Sequence, residues 1–380
     1  MPRFVSSARG RSLFALALGA GLVVFAHEAG AAIKVTPVPD QATETAPLPV
    51  HVVGRALQRG PSTWVRQWPG TYFETGFDGT AVDMRVGPGE VNLRISVDGA
   101  APVLLTRPQP GAYRIGGLEP GRHRVRVQVV SESQAGATEF DGFWADEGTR
   151  PAPLAESSRQ IEFVGDSHTV GYGNTSSKRD CNPDEVWSTT DTAQGIAPRL
   201  ASRYGADYQV NAISGRGVVR NYNGFAADTL PQAYPFTLFD GKARWFDPAW
   251  RPQLVVIALG TNDFSTPLHA GEKWADRNEL HADYEASYAA FLDSLRARYP
   301  GAHLVLWSTD LADGEIRTEA SRVVERVRLR GERHIALVGV GGLALSACHY
   351  HPSTADDAAI SNAISTYLDA HPEVWADAGR

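Results

Sequence analysis

At 380 residues the chain is long enough for two domains with cores of their own. Hydrophobic residues at 43% and charged residues at 21% describe an ordinary globular protein and exclude a disordered one. A formal net charge of -7 argues against a nucleic-acid partner, whose phosphates want a basic face, and it does not suggest an anionic membrane surface.

Residues 1–32 carry the three zones of a secretory signal peptide: Arg3, Arg9 and Arg11, an apolar run from Leu13 to Ala26, and Ala29-Gly30-Ala31 as a cleavage site. The apolar run is short for a membrane span. The mature chain is therefore expected to be secreted or periplasmic, a monomer, and without a membrane partner after cleavage. The two cysteines, Cys181 and Cys348, both lie beyond the signal. In an oxidising compartment such a pair is readily one disulfide; two buried thiols are the alternative.

Residues 33–48 are rich in Pro and Thr and read as a flexible leader. From 49 to 146 the pattern becomes short alternating runs, such as Thr71–Phe77, Thr80–Val86, Val91–Val97 and His123–Val130. Val91, Leu93, Ile95 and Val97 share one face of their run. Asp98-Gly99 and Pro120-Gly121 are turn signals between runs. Many short strands without helical periodicity predict a β-sandwich over 49–146. A polar stretch at 147–158 reads as a linker.

From 159 to 380 strand and helix patterns alternate. Strands are predicted at Ile161–Val164, Tyr208–Asn211, Leu254–Leu259, His303–Trp307 and His334–Val338, and helices near 189–204, 280–299, 315–330 and 355–369. Pro198 interrupts the first helix pattern. Such alternation predicts a parallel sheet covered on both faces.

Four places at or near strand ends carry groups with chemistry. Gly165-Asp166-Ser167 presents a hydroxyl, Asn211–Gly215 a glycine-containing loop, Gly260-Thr261-Asn262-Asp263 an amide side chain, and His349–Ser353 an imidazole before the last helix. Acyl transfer needs a nucleophile, a base and donors for a tetrahedral oxyanion, and these residue types could supply all three. Asp263 and Asp166 read as loop braces or caps. His168, His349 and His351 lack a carboxylate to complete a zinc set, so no metal is expected.

In their order, Gly165-Asp166-Ser167, Gly215, Gly260–Asp263 and His351-Pro352 resemble the four motif blocks of SGNH (GDSL-like) hydrolases. The longer Gly165–Asn174 match, with a β-sandwich before it, resembles carbohydrate esterase family 2. The resemblance implies a jelly-roll-like β-sandwich followed by a flavodoxin-like α/β/α domain and no cofactor. It also implies Ser167 as nucleophile, His351 as base, and an oxyanion hole of Ser167, Gly215 and Asn262. The implied substrate is an acetylated plant polysaccharide or oligosaccharide, such as xylan or glucomannan.

The chain departs from the pattern before its histidine. Positions that carry an Asp in relatives hold Cys348 and His349. A main-chain carbonyl of the loop before His351 is therefore expected to hold its Nδ1, with Asp356, Asp357 or a distant carboxylate as alternatives. A Cys181–Cys348 bond would fix the loop after Ser167 against the loop carrying His351. Trp187 is the expected sugar platform, while Trp245, Trp250 and Trp307 read equally as packing. Tyr172 and Asn174 are expected to shape the pocket. Competing readings are an esterase for lipid or peptidoglycan O-acetyl esters and a carbohydrate-binding protein with little catalysis.

Overall fold

The computed structural model describes residues 33–39, 46–145, 147–155 and 157–376; the expected signal, 1–32, lies outside them. Two antiparallel sheets come first. One runs β1 (Lys34–Val38), β9 (Gly111–Gly116), β6 (Val82–Val86), β11 (Thr138–Trp144), β4 (Trp64–Arg66), β3 (Ala56–Gln58). The other runs β12 (Arg150–Ala152), β5 (Tyr72–Gly79), β10 (Gly121–Val129), β7 (Asn92–Val97), β8 (Val103–Thr106), with β2 (His51–Val53) also on β5. The alternating faces meet in a shared core that includes Phe73, Phe77, Ile95, Ile115, Val127 and Phe143, as two packed sheets require.

Two segments hold strands where their composition suggests none. Residues 33–48 are not simply a leader, because Lys34–Val38 pairs along β9. The 147–158 linker holds Arg150–Ala152, paired with β5. Both are edge strands that contain a proline, and an edge is where a missing N–H costs no ladder bond.

The second half is a five-stranded parallel sheet in the order β14 (Ala206–Ala212), β13 (Arg159–Gly165), β15 (Leu254–Ala258), β16 (His303–Ser308), β17 (Ile335–Gly339). By chain order this is 2-1-3-4-5, the flavodoxin-like arrangement, whose ligand crevice opens between its first and third strands. Every residue of β15 is buried, as a central parallel strand demands. Helices α3 (Ile196–Tyr204) and α8 (Thr354–Ala370) pack as one pair, and α6 (Arg277–Arg298) and α7 (Glu315–Leu329) as another. Right-handed crossovers running in opposite directions from β13 put the two pairs on opposite faces.

The helix expected over 189–204 covers only the later part of that span, Ile196–Tyr204. An earlier one, α2 (Pro183–Thr189), starts at a capping box of Asn182 and Glu185, and α3 begins only after Gly195. Pro198 then falls in the first turn of α3, where backbone N–H groups have no helical partner anyway.

The sandwich and the parallel sheet interlock through a buried carboxylate. Glu162 on β13 is 0% exposed, as is Arg55 from the turn between β2 and β3. Glu162 Oε1 accepts from Arg55 Nη2 at 3.2 Å, Asn211 Nδ2 at 2.7 Å and the Tyr234 hydroxyl at 2.6 Å, and Oε2 accepts from Trp250 Nε1 at 3.2 Å. The guanidinium lies over the rings of Trp68, Tyr234 and Trp245. Removing one partner of such a pair leaves the other charge dry and uncompensated. Glu162→Ala should therefore lose roughly 3–5 kcal/mol of stability, read by urea unfolding. A loss below about 1 kcal/mol would show that water reaches Arg55 and that the pair is not a structural pivot.

Candidate active site

Strands β14, β13 and β15 end side by side, with Gly165 level with Ala212 on one flank and Ala258 on the other. Gly215, Ser167 and Asn262 follow those three ends within a few residues, so one row of the sheet delivers all three to one crevice. Ser167 opens a short helix, α1 (Ser167–Val170), capped by Asp166, whose Oδ1 accepts from the His168 N–H at 3.1 Å. His351 arrives from the loop between β17 and α8. Its Nε2 lies 2.9 Å from Ser167 Oγ. Its Nδ1 lies 2.9 Å from the Cys348 carbonyl and 3.2 Å from the His349 carbonyl. Carbonyls only accept, so Nδ1 carries the proton and Nε2 is left to accept from the serine.

The loop that aims those carbonyls is held in an unusual shape. Leu345, His349 and Tyr350 have φ of 48, 52 and 61°, a left-handed region that residues with side chains seldom adopt. Cys348 is disulfide-bonded to Cys181, with Cα atoms 5.5 Å apart. Gly173 makes room for that bond, since a Cβ there would sit 2.5 Å from Cys348 Cβ. The His349 N–H donates to the Arg179 carbonyl at 2.7 Å, and its ring bridges the Cys181 carbonyl at 2.8 Å and the Tyr172 hydroxyl at 3.1 Å. Arg179 reaches the carbonyls of Ala344 and Leu345 at 2.8 and 2.9 Å.

The two carboxylates next along the chain have other partners. Asp356 accepts from the N–H groups of Ala344 and Leu345 at 2.8 and 3.1 Å, and Asp357 from Asn174 Nδ2 at 2.9 Å. Both groups holding His351 Nδ1 are main-chain carbonyls.

On the opposite side of Ser167, its own N–H and that of Gly215 meet no hydrogen-bond acceptor among the described residues. Asn262 Nδ2 donates to the Arg216 carbonyl at 2.9 Å, with Asp166 Oδ2 farther off at 3.3 Å. Asp263 braces this loop, accepting from Val218, Val219 and Arg220 N–H groups at 3.0, 2.9 and 3.0 Å. That fold-back needs Gly217, where a Cβ would lie 2.1 Å from the Arg220 carbonyl.

Burial dominates the electrostatics. It raises Asp166 to about 7, helped by the neighbouring Asp263 charge, and Asp263 to about 6 against the pull of its three N–H donors. It lowers His168 to about 3 and His351 to about 4, with the two carbonyls at Nδ1 opposing the fall at His351.

A cavity of about 610 Å³ is lined by two neighbours of His351, Tyr172 and His349, though by neither Ser167 nor His351 itself. Tyr172, Val186, Trp187 and His349 line it from the parallel-sheet side. Tyr172 also lies against His351, with ring centroids 4.3 Å apart. Arg107 covers a face of Trp187, whose Nε1 donates to the Glu132 carbonyl at 3.2 Å. Asn174 is not in this pocket. It is 1% exposed, and its side chain ties the backbone of Asp191 to Asp357. Trp245, Trp250 and Trp307 are buried packing residues. Glu132 and Gln134, from the loop between β10 and β11, complete the wall. No motif in the sequence pointed to them.

Comparison with known proteins agrees with this architecture. Residues 52–154 match the family model for the N-terminal domain of carbohydrate esterase 2, and residues 163–372 that of the GDSL-like lipase/acylhydrolase family. An acetylxylan esterase / glucomannan deacetylase of Cellvibrio japonicus (strain Ueda107) is 40% identical over 88% of this chain and 94% of its own length. Among solved structures, a carbohydrate esterase described as having divergent catalytic and non-catalytic binding functions at its active site superposes with a TM-score of 0.83. It shares 38% identity and covers 87% of this chain and 100% of that one. A family two carbohydrate esterase from Clostridium thermocellum in complex with cellohexaose has a TM-score of 0.74 and 25% identity, covering 86% of this chain and 100% of that one.

Two measurements follow from the geometry. With its pKa lowered to about 4, the His351 ring should stay neutral as pH falls from neutrality and charge only near pH 4. The His351 ring-proton shift in NMR, assigned with His351→Gln, reads this midpoint. A midpoint at or above 6.5 would show an anionic partner at Nδ1. The disulfide spans 167 residues of sequence, which the chain-entropy model values at about 5 kcal/mol. The double variant Cys181→Ser, Cys348→Ser should lose roughly 2–5 kcal/mol in denaturant unfolding. A loss below about 1 kcal/mol would mean that hydrogen bonds alone hold the loop.

Proposed function

The chain belongs to carbohydrate esterase family 2, and we propose that it is an exported enzyme that removes acetyl groups from plant cell-wall polysaccharide, O-acetyl xylan, glucomannan or their oligosaccharides, through a Ser167–His351 dyad. The observation that carries the mechanism is the 2.9 Å contact between His351 Nε2 and Ser167 Oγ, with Nδ1 held by carbonyls. The substrate class rests on the relatives named above. Export rests on the pattern of residues 1–32. Among the described residues no helix is long and apolar enough to cross a membrane.

In this mechanism Ser167 Oγ attacks the acetyl carbonyl while His351 Nε2 takes its proton. The carbonyl oxygen becomes an oxyanion and accepts from the Ser167 N–H, the Gly215 N–H and Asn262 Nδ2. Each such donor contributes roughly 3 kcal/mol to the transition state. Asn262 can serve by shifting from its longer contact, 3.3 Å to Asp166, while the Arg216 carbonyl keeps its other hydrogen. Collapse of the intermediate expels the sugar oxygen, which His351 protonates. Water, deprotonated by the same Nε2, then attacks the acetyl-serine; the bond to Oγ breaks, Oγ takes the proton back from His351, and acetate leaves. The imidazolium formed on the way is stabilised by two carbonyl dipoles rather than by an anion. Trp187 and Tyr172 offer aromatic surface for the sugar chain beside the reacting ester.

Ser167→Ala should release no acetate from p-nitrophenyl acetate or acetylated xylan while keeping the wild-type melting temperature. Retention of about a tenth of the wild-type rate would remove Ser167 from the chemistry, since loss of a nucleophile costs several orders of magnitude. The lipid-ester reading predicts faster hydrolysis of long-chain p-nitrophenyl esters than of acetate, and the binding-protein reading predicts no hydrolysis of either.

A further inference from the structure

We infer that the β-sandwich takes part in the reaction: Gln134 and Glu132, two residues of its β10–β11 loop, hold Ser214 by both its N–H and its carbonyl and so aim the Gly215 N–H into the oxyanion site. The inference rests on the reading of Gly215 as an oxyanion donor. Glu132 Oε1 accepts from the Ser214 N–H at 2.8 Å. Gln134 Nε2 donates to the Ser214 carbonyl at 3.1 Å and, with its other hydrogen, to Glu132 Oε1 at 3.0 Å. The three contacts form a closed clamp around one residue.

The Ser214 carbonyl and the Gly215 N–H belong to the same peptide unit. That unit is planar and trans, so its C=O and N–H point in opposite directions. A donor fixed on the carbonyl from the sandwich side therefore fixes where the N–H points on the other. It also polarises the peptide, which makes the N–H a stronger donor. Gly215 has φ +82 and no Cβ to restrain its plane. Orientation from outside is what an oxyanion donor in such a loop requires, because a preorganised dipole need not reorganise as charge develops.

The loop is rigid enough to do this. The Ser131 hydroxyl accepts from the Asn92 N–H at 2.9 Å, Arg66 donates to the Ser133 hydroxyl at 2.9 Å, and Gln67 donates to the Ser133 carbonyl at 3.1 Å. Trp187 holds the Glu132 carbonyl from the parallel-sheet side. Gln134 itself is exposed and packs into no core. A change at Gln134 therefore reports on the clamp rather than on folding. Gln134 and Glu132 are positioning residues, since they act through the Ser214–Gly215 peptide.

The test uses isosteric changes in the full chain with p-nitrophenyl acetate, which is too small to need the cavity wall. Gln134 must donate, so Gln134→Glu and Gln134→Ala should each lower kcat roughly tenfold with KM within about twofold and the melting temperature unchanged, an indirect fraction of the effect of losing a direct donor. Glu132 need only accept, so Glu132→Gln should stay within about twofold of wild-type kcat, while Glu132→Ala should fall like the Gln134 variants. Asn262→Ala, a direct donor, should fall by roughly a hundredfold and is measured alongside. If Asn262→Ala is slow but Gln134→Glu keeps wild-type kcat, the clamp is wrong and the oxyanion reading survives. If Asn262→Ala itself keeps wild-type kcat, the oxyanion reading fails first. A Gln134→Glu effect on KM or melting temperature, with kcat unchanged, also overturns the inference.

Discussion

The site depends on a constraint placed on the loop before His351. Among the described residues no carboxylate reaches His351 Nδ1, and carbonyls 348 and 349 hold it instead. Bringing two successive carbonyls to bear on one ring nitrogen puts His349 and Tyr350 in left-handed conformations. Each such residue costs roughly 1–3 kcal/mol and persists only where its surroundings over-determine it. The surroundings do so at His349 through three hydrogen bonds, at Tyr350 through the Arg179 guanidinium 4.7 Å from its ring, and at Leu345 through Arg179 and Asp356, with the disulfide fixing Cys348 beside them. Strain and ties sit on the same few residues, which is the pattern of a loop held in place for its carbonyls.

The same logic runs through the contact between the two halves. Arg55 reaches from the sandwich into the base of the parallel sheet and meets Glu162 on β13, the strand that delivers Ser167. Tyr72 from β5 donates to Asp207 on β14 at 2.7 Å, and Gln128 from β10 to the Tyr208 hydroxyl at 2.6 Å. Arg94 of β7 pairs with Asp191, whose backbone Asn174 in turn holds. These links bind strands of the sandwich to the strands and loops that carry the site. The sandwich is thus part of the frame that sets where Ser167 and the loops around it stand, in addition to lining the cavity.

What the sequence made legible follows from how local each signal is. Strand and helix periods are local, so the five parallel strands and the helices from 280 onward were read to within a few residues of their observed ends. Ser167, Gly215, Asn262 and His351 each sit in a short motif; the first three converge because their strand ends are adjacent, and His351 joins them from the loop after β17 at the far edge of the sheet. Strands β1 and β12 were missed because an edge strand is specified by its partner, and their prolines argue against a strand anywhere but at an edge. Glu132 and Gln134 were missed because their partner lies about 80 residues away along the chain. Nothing in Ser131–Gln134 marks it as different from any polar turn. Asn174 was misplaced for a related reason: its position in a motif points to the site, whereas its contacts, which decide its role, are long-range.

A base supported by carbonyls has a chemical consequence. Burial lowers His351 to about 4, so in the proposed mechanism the imidazole is neutral over nearly all the range in which such an enzyme would work. Neutrality keeps every molecule ready to accept a proton, but a base of low pKa drives proton transfer from serine weakly. The deficit falls on the step in which the imidazolium and the oxyanion coexist. Carbonyl dipoles at Nδ1 stabilise the cation less than a carboxylate would, so more of the barrier must be removed on the anionic side. Three donors drawn from three neighbouring strand ends are suited to that, provided their directions are fixed before the substrate arrives. The Arg216 carbonyl that accepts from Asn262 Nδ2 and, on the inference drawn above, the contacts on Ser214 bear on the direction of those proposed donors. On this reading the main-chain support of His351 and the braced loops around the proposed oxyanion donors are two sides of one arrangement.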